Sequence, residues 1–230
     1  AFSKVDTSEA ALEISDEGVF VQWQKSFVDV PKILGPEFME AKAPVSEGDR
    51  FGNTFQNCNA NQKTEIAAAV TQAEAQAKFG YTCLNQGFQQ CGTLETVWFG
   101  ARESQSDWSY DLGVLDRVHS RLETFGQASY CDGSQCSPNT YAYVYPSQCC
   151  TVYLCPVFWS IPSERAETIV HEQSHFNVNS PTGTGTRDYT YGRTNCKNLA
   201  KSKPYDAAHN ADNVCYFAAG YSLDDSKISK

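Results

Sequence analysis

Basic charge and long apolar runs are both scarce in this sequence of 230 residues. The most apolar stretch, residues 150–159, is interrupted by Pro156 and falls far short of the roughly 18 residues that a membrane-spanning helix needs. There are 18 Lys+Arg against 27 Asp+Glu, a net charge of −9, which argues against nucleic acid or an anionic membrane as a partner. Because 41% of the residues are hydrophobic, the chain can bury a sizeable core. We therefore expect a soluble globular protein without a nucleic-acid or membrane partner.

Methionine is almost absent, with one residue, whereas there are ten cysteines and no Cys-x-x-Cys pair among them. An even, high cysteine count of this kind predicts disulfide bonds and an oxidising compartment, hence a secreted protein. The alternative is a set of buried free thiols in a cytosolic protein. No leader is visible at Ala1, so we expect that a leader has been removed from a processed form.

The cysteine-free residues 1–53 are expected to differ from the rest of the chain. Residues 19–24 and 27–30 are rich in β-branched and aromatic side chains and predict extended segments. We place a soft boundary near residue 53 and treat 54–230 as the disulfide-bonded domain. Residues 1–53 are then a structural extension or a residual pro-segment, and their aromatic and β-branched side chains favour the packed extension.

The domain 54–230 has a mainly helical pattern. Helix propensity and periodicity predict helices at 61–78 and 106–125, and a further helix from Pro162 to about Phe176. Residues 140–145 and 151–154 predict a pair of strands, and helical character resumes after Tyr189 and around 210–219. The order of elements shows no βαβ alternation and predicts an α+β fold, mainly helical, with a small antiparallel sheet.

The predicted helix near residue 170 carries the strongest chemical signal, His171-Glu172-Gln173-Ser174-His175. Two histidines at i and i+4 lie on one face of a helix, so both rings can reach a single metal ion. Glu172 lies beside them, where its carboxylate can accept a proton from water. The alternative, an exposed polar helix face, is disfavoured because the apolar residues 168–170 precede the motif and indicate a buried helix.

Catalytic zinc needs a third protein ligand and an open position for water. His119 lies in an ordinary amphipathic helix and His209 in a segment that we expect at the surface, so both are weak candidates. Asp188 is the better one, because it lies thirteen residues after His175 within residues 185–192, a glycine-rich loop that allows the backbone to turn back.

The His-Glu-x-x-His motif followed by Gly185-Thr-x-Asp188-x-x-Tyr191-Gly192 resembles the aspzincin metallopeptidases, the deuterolysin and peptidyl-Lys metalloendopeptidase family. Residues 98–100, 142–146, 151–155 and 210–213 support the resemblance, which covers most of 54–217 and is stronger to the peptidyl-Lys branch. It implies a zincin-like fold and one Zn²⁺ per chain.

For individual positions, the resemblance implies that His171, His175 and Asp188 are the zinc ligands and Glu172 the general base. It also implies that Tyr191 stabilises the oxyanion of the tetrahedral intermediate, where the alternative is a packing tyrosine.

Specificity is where the sequence departs from the family pattern. The resemblance implies that Asp212 lines the pocket for a substrate lysine, where the alternative is a helix-capping role. The second pocket carboxylate of the peptidyl-Lys branch corresponds to Cys215, a neutral residue, so strict lysine selectivity is not expected.

The resemblance also implies disulfides between Cys58 and Cys131 and between Cys136 and Cys155. Local spacing makes Cys83–Cys91 and Cys196–Cys215 plausible further pairs.

These observations favour a secreted, monomeric zinc endopeptidase that hydrolyses protein and peptide substrates, with a preference for Lys or Arg on the leaving-group side. The alternative is a secreted non-catalytic binding protein, or a latent, zymogen-like protein, on a metallopeptidase scaffold.

Overall fold

Helices form most of the structure, a computed structural model that describes residues 14–15, 18–19, 21–24, 52–88, 90–101 and 105–221. The α-helices of these residues are α1 (Ala60–Leu84), α2 (Gly92–Phe99), α3 (Gln105–Phe125), α4 (Pro156–Ser160), α5 (Arg165–His175), α6 (Arg193–Ser202), α7 (Pro204–Ala208) and α8 (Ala211–Ala218). Within the described residues, no helix combines the length and the apolar character needed to cross a membrane.

The strands form one five-stranded sheet and a short two-stranded ribbon. They are β1 (Ile14–Ser15), β2 (Gly18–Val19), β3 (Val21–Gln24), β4 (Thr54–Gln56), β5 (Ala128–Tyr130), β6 (Thr140–Val144) and β7 (Thr151–Leu154). The order in the large sheet is β3-β6-β7-β5-β4, and β1 pairs with β2. The β4–β5 and β5–β7 pairs are parallel, whereas β3–β6 and β6–β7 are antiparallel.

The predicted α+β, mainly helical class is confirmed, but the sheet is mixed rather than antiparallel. The predicted strand pair is the antiparallel β6–β7 hairpin. The parallel part comes from β4 and β5, which are only three residues each and left no periodic signal in the sequence. They are joined by α1–α3, the kind of long helical crossover that parallel neighbours require.

The long helix α3 begins and ends close to its predicted bounds, and α1 begins where predicted but continues to Leu84, six residues past the predicted end. Asn59 caps α1 in a reciprocal arrangement: the Gln62 N–H donates to the Asn59 side chain, and the Asn59 N–H donates to the Gln62 side chain, each at 2.9 Å. Such a capping box satisfies two of the amide donors that a helix start leaves free. The apolar stripe of α3 includes Leu115, Val118 and Leu122, all fully buried in the common core.

Helix α5 lies at the centre of the molecule. All residues from Ala166 to His175 are buried, and the helix contacts α1 and α8 as well as strands β3, β6 and β7. The polar residues of the metal motif are therefore held in a dry environment between helices and sheet, where each of them needs a partner.

The described residues contain four disulfides. The expected pairs Cys58–Cys131, Cys136–Cys155 and Cys83–Cys91 are confirmed, and the structure also joins the adjacent Cys149 and Cys150.

The expected Cys196–Cys215 pair is wrong: both cysteines are buried, and neither forms a disulfide in the structure. The two thiols make separate contacts, since Cys196 Sγ lies 3.9 Å from the Thr190 carbonyl and Cys215 Sγ donates to the Asp212 carbonyl at 3.3 Å.

The N-terminal segment enters the sheet through β3, which agrees with the extended structure predicted for residues 19–24. The extended segment predicted at 27–30 lies outside the described residues.

Candidate metal centre

Three side chains converge at the C-terminal half of α5. The Nε2 atoms of His171 and His175 lie 3.1 Å apart, and Asp188 Oδ1 lies 3.2 Å from the first and 3.5 Å from the second. These three residues form one of the groups that could hold a metal ion. Sequence reasoning had chosen the same three.

The spacing of the three atoms fits zinc. Four ligands placed tetrahedrally at about 2.0–2.1 Å from one ion are about 3.3 Å from each other, which is the average of the observed separations. Two neutral nitrogens and one carboxylate are also a donor set that catalytic zinc sites use, with a fourth position left for water. The residues present therefore fit a zinc ion.

Both histidine rings are oriented by a hydrogen bond on their far side. His171 Nδ1–H donates to Asp212 Oδ1 at 2.8 Å, and His175 Nδ1–H donates to the Thr186 carbonyl at 2.9 Å. These bonds fix the tautomer in which Nε2 carries a lone pair, because a carbonyl or carboxylate oxygen can only accept. Both rings consequently present a metal-binding nitrogen to the same point.

Asp212 is fully buried, and both of its oxygens are engaged. Oδ1 accepts from His171, while Oδ2 accepts from the Gly192 N–H at 2.7 Å and from the Tyr216 hydroxyl at 3.0 Å. A buried carboxylate with three donors is held in one orientation. The geometry thus supports Asp212 as the residue that positions the ring of His171.

The stretch before Asp188 can approach α5 only because residue 185 has no side chain. A Cβ at Gly185 would lie within 2.0 Å of the His175 carbonyl oxygen. Thr186 follows, and its N–H donates to the Ser174 carbonyl at 3.0 Å while its hydroxyl bonds the Ser174 hydroxyl. The Gly-Thr of the motif therefore closes the loop onto the end of the metal-binding helix.

Asn210 organises the chain on the other side of Asp188. Its Oδ1 accepts from the N–H groups of Tyr189 and Thr190 at 2.8 and 3.2 Å, and its Nδ2 donates to the Thr190 carbonyl. The neighbouring Arg187 pairs with Asn210 as an isolated β-bridge. Asn210 is among the residues that support the family resemblance, but apart from its position just before α8 nothing in the sequence indicates this role.

Glu172 lies next to the histidines on α5, and both of its carboxylate oxygens are buried without a hydrogen-bond partner among the described residues. Burial raises the pKa of this carboxyl, and the positive charge of His171 opposes the rise, leaving it at about 8. A buried carboxylate that no protein group satisfies is suited to bind water or a substrate proton.

Tyr191 is the other predicted catalytic residue. Burial raises the pKa of its hydroxyl and the neighbouring charge of Asp188 raises it further, so that the phenol keeps its proton. Its ring lies over that of His171, with centroids 6.4 Å apart. The structure thus places a neutral O–H donor at the edge of the metal centre.

The charges at the centre are unbalanced in a way that favours a cation. Burial alone would lower the pKa of His171, but Asp188 and Asp212 raise it to about 10. Burial would raise the pKa of Asp188, but the two histidines lower it. Asp188 and Asp212 thus stabilise a proton on His171. A divalent ion would replace that proton, because a metal ligand must be deprotonated before it can bind.

The remaining histidines are not part of the centre. His119 pairs with Glu74 at 2.8 Å between α1 and α3. His209 is stacked between Tyr110 and Tyr205, with ring centroids 4.1 and 4.3 Å away. The Sγ atom of Cys215 lies within 4.8 Å of ligand atoms of His171 and Asp212, so a neutral residue is next to the Asp212 carboxylate.

A buried His-Glu-x-x-His helix completed by a third ligand from a following loop defines the class of the zinc-dependent peptidases. A sequence model of the aspzincin family, described as lysine-specific metallo-endopeptidase, matches residues 89–219. The chain belongs to this family, and zinc is the family's cofactor.

Several relatives are about one third identical to this chain over the aligned residues. It is 33% identical to the peptidyl-Lys metalloendopeptidase of Armillaria mellea over 72% of this chain and 46% of the relative, and 36% identical to an extracellular protease of Aeromonas hydrophila over 77% and 51%. It is 36% identical to the peptidyl-Lys metalloendopeptidase of Pleurotus ostreatus over 72% of this chain and 95% of the relative. The chain thus spans about half the length of the first two proteins.

The fold also matches a solved structure, a zinc peptidase from Grifola frondosa. The TM-score is 0.60 at 33% identity, and the match covers 71% of this chain and 97% of the other. The confirmed fold class therefore rests on a relative of similar sequence as well as on the described elements.

Proposed function

We propose that this chain is a secreted endopeptidase that hydrolyses peptide bonds at the centre formed by His171, His175 and Asp188. The observation that carries the proposal is the spacing of the three ligand atoms, 3.1–3.5 Å, beside a carboxylate with no partner among the described residues. Zinc bound there supplies a Lewis acid that lowers the pKa of water and polarises the scissile carbonyl.

In this proposal Glu172 is the general base. Its free carboxylate takes a proton from the attacking water and delivers it to the leaving amine. The Tyr191 O–H is neutral and donates to the negative oxygen that develops on the scissile carbonyl. The other described contacts, from Asp212, Thr186 and Gly185, keep the rings and the loop in place.

The experiment that tests the mechanism is the substitution Glu172→Gln in the full chain. Hydrolysis of a protein substrate should fall at least about 10²-fold because the proton acceptor is lost. Zinc content, measured by elemental analysis, should stay at one per chain because no ligand has changed. Glu123→Gln is the matched control, since this glutamate is half exposed on α3. Full turnover in Glu172→Gln would refute the assigned base.

We further propose a preference for Lys or Arg after the cleaved bond, looser than that of a strictly lysine-specific enzyme. Three relatives are named peptidyl-Lys metalloendopeptidases, and the buried Asp212 carboxylate supplies negative charge near the centre. Cys215, next to Asp212, is neutral and adds no second negative charge, which argues against strict lysine selectivity. Both Asp212 oxygens already accept hydrogen bonds. We therefore expect Asp212 to act on the substrate through its negative charge and not through a direct hydrogen bond.

Cleavage-site profiling tests this preference. A mixture of denatured proteins is digested with and without a chelator, and all new termini are read by mass spectrometry. Enrichment of Lys and Arg on the leaving-group side, only in the absence of chelator, supports the proposal. Cuts with no preference for a cation would refute it.

Residues 54–230 are, in this proposal, the peptidase domain, and 1–53 a structural extension. The pairing of β3 with β6 supports this division. Four described disulfides and the extracellular relative from Aeromonas support secretion.

A further inference from the structure

Two tyrosines are among the large apolar residues that the described structure exposes to solvent. Tyr189, which directly follows the proposed ligand Asp188, is 41% exposed, and Tyr205 in α7 is 60% exposed. A single exposed apolar residue needs no explanation, whereas a group of them next to a candidate active site indicates a binding surface. The surroundings of the two tyrosines therefore decide whether they form such a group.

The ring of Tyr205 is the outer member of a stack of three rings. His209 lies between Tyr205 and Tyr110, with ring centroids 4.3 and 4.1 Å away and planes inclined by 27° and 26°. Tyr110, at the inner end, is buried. One face of the Tyr205 ring thus packs on His209, and its exposed area is on the remaining ring surface.

Hydrogen bonds hold this stack in place. The His209 Nδ1–H donates to the Tyr205 carbonyl at 2.8 Å, and the Tyr110 hydroxyl donates to the Thr184 carbonyl at 3.1 Å. Burial raises the pKa of Tyr110, and the phenol groups of Tyr189 and Tyr205 are close enough to raise it further. Tyr189 therefore belongs to the same aromatic cluster, whose rings are ordered before any ligand binds and so lose little conformational entropy on binding.

The aromatic cluster adjoins the loop that carries the third proposed ligand. The Arg187 N–H donates to the His209 carbonyl at 2.8 Å, and Asp188 and Tyr189 are the next two residues. A side chain one residue away from a ligand lies within roughly 10 Å of the metal, a distance that about three residues of extended peptide cover. A peptide bound across the metal centre can therefore reach these rings.

We propose that Tyr189 and Tyr205 form a substrate subsite that binds an aromatic side chain about two to four residues from the scissile bond. The inference rests on the proposed peptidase function and adds a specificity determinant separate from Asp212 and Cys215. An aromatic side chain of the substrate continues the stack on the outer surface of Tyr205. Such ring contacts contribute more than the burial of apolar area alone.

A series of matched peptides tests the subsite in the full, zinc-loaded chain. The quenched-fluorescence peptides are identical except for Phe or Ala at the second, third or fourth residue on either side of the scissile bond. In wild type, kcat/KM should be about fivefold higher with Phe than with Ala at one or more of these positions. A ratio near one at every position would overturn the inference and leave the peptidase function in place.

Variants of Tyr205 show whether the preference comes from this ring. Tyr205→Ala should bring the Phe/Ala ratio close to one, whereas Tyr205→Phe should keep it because the ring is retained. Phe125→Ala is the matched control, since this residue is 65% exposed at the end of α3 and should also keep the ratio. A general loss of activity cancels in the ratio, so a preference that survives in Tyr205→Ala would contradict the subsite.

Tyr189→Ala is the second variant and covers the case in which Tyr205→Ala does not fold. With zinc content and Tm as in wild type, it should lower the Phe/Ala ratio at the same position. An unchanged ratio in Tyr189→Ala would remove this residue from the subsite and overturn the inference as stated.

A binding measurement separates this inference from the proposed function. The probes are peptide hydroxamates that extend to either side of the metal and carry Phe or Ala at the second to fourth residues, titrated calorimetrically into zinc-loaded wild type and Tyr205→Ala. Tighter binding of a Phe probe to wild type alone supports the subsite, and if neither protein hydrolyses peptides, only the peptidase function fails. Equal affinity of the Phe and Ala probes for wild type contradicts the subsite.

A sugar ring is the other ligand that an exposed aromatic surface can bind. Titration of the same proteins with cellohexaose tests for it. Binding of the oligosaccharide that is lost in Tyr205→Ala, together with no preference for Phe in peptides, would assign the surface to carbohydrate and overturn the inference. No binding of the sugar, with the Phe preference present, supports the peptide subsite.

Discussion

At the residue scale, the centre depends on hydrogen bonds that face away from the metal. His171 and His175 each have their Nδ1 held by an oxygen acceptor, and each acceptor is itself fixed by the chain around it. Sequence patterns identify ligands, since two histidines one turn apart are recognisable. Sequence patterns do not show that the Thr186 carbonyl accepts from His175, because every residue type has a backbone carbonyl.

The substitution Asp212→Asn tests the positioning of His171. An amide can turn its NH₂ toward Nδ1 and thereby favour the wrong tautomer, as carboxylate-to-amide changes behind catalytic histidines do. Zinc affinity should fall by roughly 10–100-fold, measured by competition with a chromogenic chelator. Asp206→Asn is the control, since its carboxylate contacts only Lys203 among the ion pairs of the described residues, and it should bind zinc as wild type does.

That experiment also separates two roles of Asp212. A residue that acts only on the substrate would change cleavage preference and leave zinc affinity untouched. Unchanged zinc affinity in Asp212→Asn would therefore contradict the positioning role.

Cys215 is the residue at which a change of specificity is expected. Cys215→Glu places a second carboxylate beside Asp212, which should raise the selectivity for Lys over neutral residues on the leaving-group side by at least about tenfold, because an unpaired buried carboxylate disfavours neutral side chains. Cys215→Gln has a similar size without charge and serves as the control. The readout is the ratio of kcat/KM for matched peptides, and a shift of equal size in both variants would contradict the electrostatic explanation.

At the scale of elements, the sequence was informative wherever a segment was long and periodic. Helices α3 and α5 and the β6–β7 hairpin were predicted within a few residues of their observed bounds, and α1 was predicted with its correct start but six residues too short. The shorter elements α2, α4 and α7 and strands β4 and β5 were missed, because three to eight residues give too little periodicity to detect. Their structure depends on tertiary packing, and the parallel half of the sheet is determined by a crossover that no local pattern encodes.

The loop between α5 and Asp188 was expected from its composition, but its closure onto the helix was not. The contact depends on the missing side chain of Gly185, which lies against the His175 carbonyl. A glycine in a glycine-rich stretch looks replaceable in the sequence, and only the close approach of the two backbones shows that it is not.

Gly185→Ala therefore tests the closure of this loop. The added methyl group must displace the backbone of His175 or that of residue 185, which should destabilise the fold by about 1–3 kcal/mol and move Asp188 relative to the two rings. Urea unfolding and zinc affinity should both be weakened. Gly183→Ala is the control: its Cβ would meet nothing within 4 Å, so any cost comes from its positive φ and zinc affinity should be unchanged.

At the scale of the whole molecule, the metal centre joins parts of the chain that are far apart in sequence. Two of the proposed ligands come from α5 and the third from the loop before α6, while α8 supplies Asp212 behind His171. Disulfides tie other parts together, such as β4 to the end of β5 through Cys58 and Cys131. A metal ion that bridges α5 and the loop acts as a further cross-link between these parts of the fold.

Zinc removal should consequently lower the thermal stability of the whole chain. A ligand that binds only the folded state stabilises it by about 4 kcal/mol at a thousandfold excess over its Kd, which for a chain of this size corresponds to a shift in Tm of roughly 8–16 °C. Calorimetry of the apo protein with increasing free zinc should show the Tm rising by that amount. His175→Gln should abolish the rise because it removes a ligand, whereas His209→Gln should retain it because that ring is stacked between two tyrosines away from the centre. A zinc-dependent rise that survives in His175→Gln would place the stabilising ion elsewhere in the molecule.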